Sequence, residues 1–123
     1  MPALMQVRDS EGKLVPGYCT LTALGITPTR RGVLYQRVYS SKEPGFLSES
    51  VEVQKALQTV SSALDGLESR MTVTWILDRG FDDIAVWRTI WEQGEHLVCR
   101  IDEEGRLVEF RDRRGRWQAG KIA

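Results

Sequence analysis

Apolar positions recur along this chain with two different periods. Over residues 18–26 small, β-branched and apolar residues run together, and over 33–39 they alternate with other β-formers. The intervening Thr27-Pro28-Thr29-Arg30-Arg31-Gly32 reads as a turn, so the two runs predict a β-hairpin. Residues 41–46 read as a loop, and then the period changes. Val53, Ala56, Leu57, Val60, Ala63, Leu64 and Leu67 follow one another at three- and four-residue spacing. That is one stripe of a helix from about Glu49 to Leu64 or a little beyond. Ser48 or Ser50 is the candidate N-cap, with Glu49 and Glu52 in the first turn, where the helix dipole favours acid.

The second half follows a strand–helix–strand pattern. Residues 72–77 are continuous and β-rich, the pattern of a strand buried on both faces. Asp82 or Asp83 is placed to cap a helix over 83–93, with Ile84, Trp87, Ile90 and Trp91 as its inner stripe and Gly94 as its stop. Residues 96–101 read as another buried strand. After a turn at 102–105, residues 106–110 and 116–118 read as a last hairpin around Asp112-Arg113-Arg114-Gly115. At the other end, 1–8 is mildly apolar, 9–13 is a turn and Pro16-Gly17 a second break. The expected architecture is a mixed α/β sheet with two helices and a C-terminal β tail. Strands 72–77 and 96–101 should be parallel neighbours joined through the helix.

Composition narrows the chemistry only slightly. At 123 residues with 41% hydrophobic content, the chain is one domain or part of one. Lys+Arg 17 balance Asp+Glu 17, which counts against a free-standing nucleic-acid grip. Cys19 and Cys99 lie in apolar segments without CxxC spacing and read as small buried hydrophobes in a reducing compartment. No apolar stretch approaches the roughly 20 residues needed to cross a bilayer, so a cytoplasmic location is expected. His96 has no ligand partner in spacing, and no Ser-His-Asp set, P-loop or GxGxxG is present.

The segment Trp75-Ile76-Leu77-Asp78-Arg79-Gly80-Phe81-Asp82 carries the candidate chemistry. An apolar run ends on a carboxylate, followed by a glycine turn and a helix start. With Ile84-Ala85-Val86-Trp87, Gly94 and Leu97-Val98-Cys99-Arg100-Ile101, it resembles the DDE transposases of bacterial insertion sequences, the IS4-like group, around their second catalytic Asp. Val7-Arg8-Asp9 and Pro16-Gly17-Tyr18 are similar to the family's text shortly after its first catalytic strand. The resemblance spans about residues 6–101.

It implies a partial RNase H-like mixed sheet over 1–104, without the central first strand, and the truncated start of a β insertion over 105–123. It makes Asp78 the matched catalytic and metal-binding residue. The cofactor it implies is Mg²⁺, or Mn²⁺, as a two-metal pair serving in-line displacement at a phosphodiester. Transposon-end DNA is the implied partner, with Arg100, Arg113 and Arg114 as candidate phosphate contacts. The family's first Asp and final Glu have no match; Asp9 sits in a turn, and Glu103, Glu104 and Glu109 lie on no helix. The chain alone should therefore be inactive and bind metal weakly. Its missing strand leaves edges prone to self-association. The competing reading is a non-catalytic RNase H-like interaction module; in a third, an unrelated small α/β domain, Asp78 is only a turn cap.

Overall fold

The computed structural model describes residues 3–66, 72–101 and 106–121. The chain opens with a hairpin of β1 (Met5–Arg8) and β2 (Leu14–Gly17), antiparallel in the register Met5↔Gly17 to Arg8↔Leu14. The Asp9 carboxylate closes its turn by accepting from the Glu11 and Lys13 N–H groups, each at 2.9 Å. Pro16, expected to break the chain, lies within β2 opposite Gln6. A proline is tolerated there because β2 is an edge strand that can spare a donor.

The next hairpin is β3 (Cys19–Ile26) with β4 (Arg31–Tyr39), close to the expected bounds. A bulge between Ala23 and Leu24 slips Leu34 into β4 as an extra residue. Gly25 makes room for it, since a Cβ there would stand 2.7 Å from Leu34 Cδ1. Helix α1 (Glu49–Asp65) starts at Ser48, whose Oγ accepts from the Val51 N–H at 3.2 Å. Its buried face is Glu52, Ala56, Leu57, Val60 and Ser61; Ala63, expected in the stripe, is exposed, and Leu67 lies outside the described residues.

Strands β5 (Thr74–Leu77) and β6 (His96–Cys99) are parallel neighbours in the register Thr74↔His96 to Leu77↔Cys99, joined through α2 (Ile84–Glu92), as the sequence predicts. The core is Leu57, Val86, Trp87 and Ile90, with Val53, Trp75, Leu77, Leu97, Cys99 and Ile101 against it. Both helices thus cover the same face of β5–β6. Thr74, Ile76, His96 and Val98 occupy the other face, and Ile76 is 81% exposed. The expected burial on both faces is therefore wrong: the run is apolar on both sides, but helices cover one.

The stripe of α2 is also rotated from the one expected. Val86, Trp87, Thr89 and Ile90 are buried, while Ile84 and Trp91 are exposed, Trp91 at 56%. The partner helix lies on the Thr89 side, where the Thr89 hydroxyl donates to Ala85 O and to Gln54 Oε1 of α1. The chain ends in the antiparallel pair β7 (Leu107–Arg111) and β8 (Trp117–Lys121), as expected; the turn predicted at 102–105 lies outside the described residues.

Among the described residues, the eight strands form four separate two-stranded ladders. The architecture is mixed α/β, but parallel and antiparallel pairs do not merge into the single mixed sheet expected. No described helix is long and apolar enough to cross a membrane.

Candidate functional site

Asp78 stands where β5 ends. The Leu77 carbonyl still accepts from the Arg100 N–H at 3.1 Å, and the chain then turns through a short 3₁₀ segment, Arg79–Phe81. Asp78 is the cap of that segment: its backbone is extended (φ −78°, ψ 170°), and its Oδ1 accepts from the Arg79 N–H at 2.7 Å. Its carbonyl accepts from the Phe81 N–H at 2.9 Å. The side chain is exposed, and Oδ2 has no hydrogen-bond partner among the described residues. Both expected roles, cap and available carboxylate, are thus compatible in one side chain.

The neighbouring acids have other work. Asp83 Oδ1 caps α2 by accepting from the Ala85 N–H at 2.8 Å. Asp82 is buried in an ion pair with Arg106 at 2.6 Å, and the Arg106 guanidinium also lies 5.1 Å from the centroid of the Trp87 ring. Among the described residues no set of three His, Cys, Asp or Glu side chains converges on a metal-sized volume. One exposed carboxylate does not make a two-metal centre, which needs carboxylates from several elements. The described residues by themselves therefore do not fit the metal pair that the family resemblance implies.

Arg100 follows β6 directly and is exposed. Because β5 and β6 are parallel, Asp78 and Arg100 emerge at the same end of the pair. Arg113 and Arg114 sit exposed in the turn of the β7–β8 hairpin. Asp112 organises that turn, accepting from the Arg114 and Arg116 N–H groups at 2.8 and 3.0 Å and pairing with the Arg116 guanidinium. These bonds, the Arg116 backbone first, hold the Asp112 carboxyl below the usual carboxylate range. No described hydrogen bond or ion pair links Arg113 or Arg114 to the Asp78 end.

The cysteines are free and half-buried rather than fully enclosed. Burial pushes the Cys99 thiol up, against a smaller opposing effect from Trp87. Tyr39, stacked on Phe46, is pushed up to about 12, again first by burial.

Two polar residues matter beyond what the sequence predicts: Glu52, expected only as a first-turn acid, and Glu95. Glu52 is buried on α1 and held by the Arg37 guanidinium of β4 at 2.8 Å. Its place in the 52–53–56–57–60 face was the signal that could have found it. Glu95 is buried after Gly94 and accepts from Ser61 Oγ, Trp75 Nε1 and Gln93 Nε2 at 3.0, 2.9 and 2.7 Å. It pins α1, β5 and the α2–β6 turn together. A lone Glu between a glycine and a strand carries no pattern that announces this.

Comparison with family models, curated proteins and solved structures finds no match to this chain.

Proposed function

We propose that the chain is the middle of an IS4-like DDE transposase catalytic core. In its intact form such an enzyme would cleave and transfer DNA strands with Mg²⁺ or Mn²⁺ at transposon ends. The observation that carries this reading is Asp78, exposed at the carboxyl tip of a strand in a parallel pair closed by a helix. Ligand chemistry in α/β architectures gathers at such strand ends. Arg100 at the same end is suited to a phosphate, and the arginines of the β7–β8 turn add a second basic element. The RNase H-like form of the sheet belongs to this proposal, with the antiparallel β3–β4 hairpin and the β5–β6 pair as its surviving parts. The remaining two acids would come from outside the chain, and this segment alone would not turn over DNA.

The test is to sequence the DNA on both sides of the reading frame. An upstream frame encoding a strand that bears Asp, with a downstream frame encoding a helix that bears Glu, supports the reading. Flanks encoding neither, in any frame, overturn it in favour of the non-catalytic interaction module, which the strand edges left unpaired among the described residues also suit.

A further inference from the structure

The turn that carries Asp78 is fixed from its far end. The Asp82 N–H donates to the Arg79 carbonyl at 3.2 Å and so closes the 3₁₀ segment. The neighbouring Phe81 carbonyl accepts from the Asp83 N–H at 2.8 Å and from the Trp87 indole Nε1 at 3.0 Å. Asp78 Oδ1 takes its direction from the Arg79 N–H. Residue 79 in turn is held by the bond from Asp82. The placement of the carboxylate at the strand tip therefore depends on where Asp82 is kept.

Arg106 holds that end twice. Its guanidinium donates to Asp82 Oδ1 at 2.6 Å and lies 5.1 Å from the centroid of the Trp87 ring. The depth of the pair decides what this is worth. An exposed ion pair contributes little and would leave the turn indifferent to it. Here the Asp82 side chain is 4% exposed and that of Arg106 18%. A carboxylate that deep is costly to leave without a paired cation. Without Arg106, Asp82 is driven toward water. It lies one residue past the 3₁₀ segment, so it cannot swing out without drawing its own N–H away from the Arg79 carbonyl. The same substitution uncovers the Trp87 ring, whose indole N–H is the other hold on the turn.

The origin of this hold is distinct as well. Asp83 caps α2 and Trp87 lies within it, so both come with the strand–helix–strand unit that bears Asp78. Arg106 comes from beyond that unit, just before β7 and 24 residues from Asp82.

We propose that Arg106 is a positioning residue for Asp78. Paired with Asp82 and seated on Trp87, it keeps the 78–82 turn in the form that presents the Asp78 carboxylate at the end of β5. The inference deepens the reading of Asp78 as the residue that carries the chemistry, and it rests on that reading. Arg106 itself acts only through Asp82 and Trp87.

The experiment compares the full chain with R106A, R106K and D82N by ¹⁵N-edited NMR and native-state amide exchange. In R106A the Phe81 and Asp82 amides should exchange roughly tenfold faster, while Ala56, Leu57 and Val60 of α1 keep their rates. The Arg79 amide proton should move upfield as its bond to Asp78 Oδ1 weakens. In the D82N chain most of the R106A effect should disappear, because the two act through one contact. R106K keeps the charge, and where R106A does not fold it should show the same pattern at smaller size, since one ammonium cannot serve both Asp82 and the Trp87 face. A turn unchanged in the folded variants, acceleration in α1 equal to that in the turn, or a full R106A effect in the D82N chain overturns the proposal. Failure here is distinct from failure of the transposase reading. Flanking DNA that encodes neither missing acid removes the reaction and leaves the exchange pattern; an unchanged turn removes the role of Arg106 and leaves the flanks to decide the reaction.

Discussion

Asp78 and Glu95 show how differently two carboxylates can be used within twenty residues of chain. Asp78 is exposed and makes one local bond, which an amide can largely replace. Asp78→Asn should change the unfolding free energy by less than about 0.5 kcal/mol in urea denaturation. A loss above about 2 kcal/mol would make it a structural residue and remove the reason for assigning it to chemistry. Glu95 is the opposite case. Glu95→Ala would leave the Trp75 indole N–H and the Ser61 hydroxyl without their acceptor, at a cost of about 2–3 kcal/mol in the same measurement. At Cys99, burial raises the thiol pKa, so the thiol stays protonated at neutral pH. Alkylation there should be slower in the folded chain than in urea at equal pH, followed by mass spectrometry.

Elements were far more legible than their surroundings. Ser48→Ala should cost about 1 kcal/mol, because the Val51 N–H loses its acceptor at the start of α1; a thermal or urea series measures it. That helix, the β3–β4 hairpin and the parallel β5–β6 pair were readable because each rests on local periodicity and turn residues. The β1–β2 hairpin was not, since four-residue strands carry little periodicity and Pro16 argues against a strand. Nor was the exposed face of β5: Thr74 and Ile76 are β-formers like their neighbours, and what covers them depends on which side the helices take. At the site, the strand, the tip and Asp78 were legible. The diversion of Asp82 to Arg106 was not, because that pairing spans 24 residues. The β7–β8 turn supplies a pH test. Asp112 has a depressed folded-state pKa, so its contribution is complete above its unfolded pKa, near 4, and is lost as pH falls through the folded value. The amide shifts of Arg114 and Arg116 should move together on acidification below that point, and in Asp112→Asn this titration should vanish.

At the scale of the molecule, the balance is between a small core and a large surface. Among the described residues, seven buried apolar side chains and a half-covered sheet leave little margin against conformational entropy. The isolated chain should be marginally stable or self-associate, with a concentration-dependent sedimentation coefficient; a cooperative transition of a monomer would refute this. Incubated with supercoiled DNA and Mg²⁺ or Mn²⁺, it should produce no nicks. Metal-dependent nicking lost in Asp78→Ala would mean that a complete set of acids is present after all. One contact has a mechanical meaning as well. Among the described residues, the bonds and ring contacts of 107–121 stay within their own hairpin, and Arg106, just before β7, grips Asp82 and Trp87. Among the described residues, the hairpin therefore hangs from the Arg106 contact. Its amides should reorient faster than those of α1 and α2 in ¹⁵N relaxation, and R106A should widen the arc swept by Arg113 and Arg114 without loosening the helices.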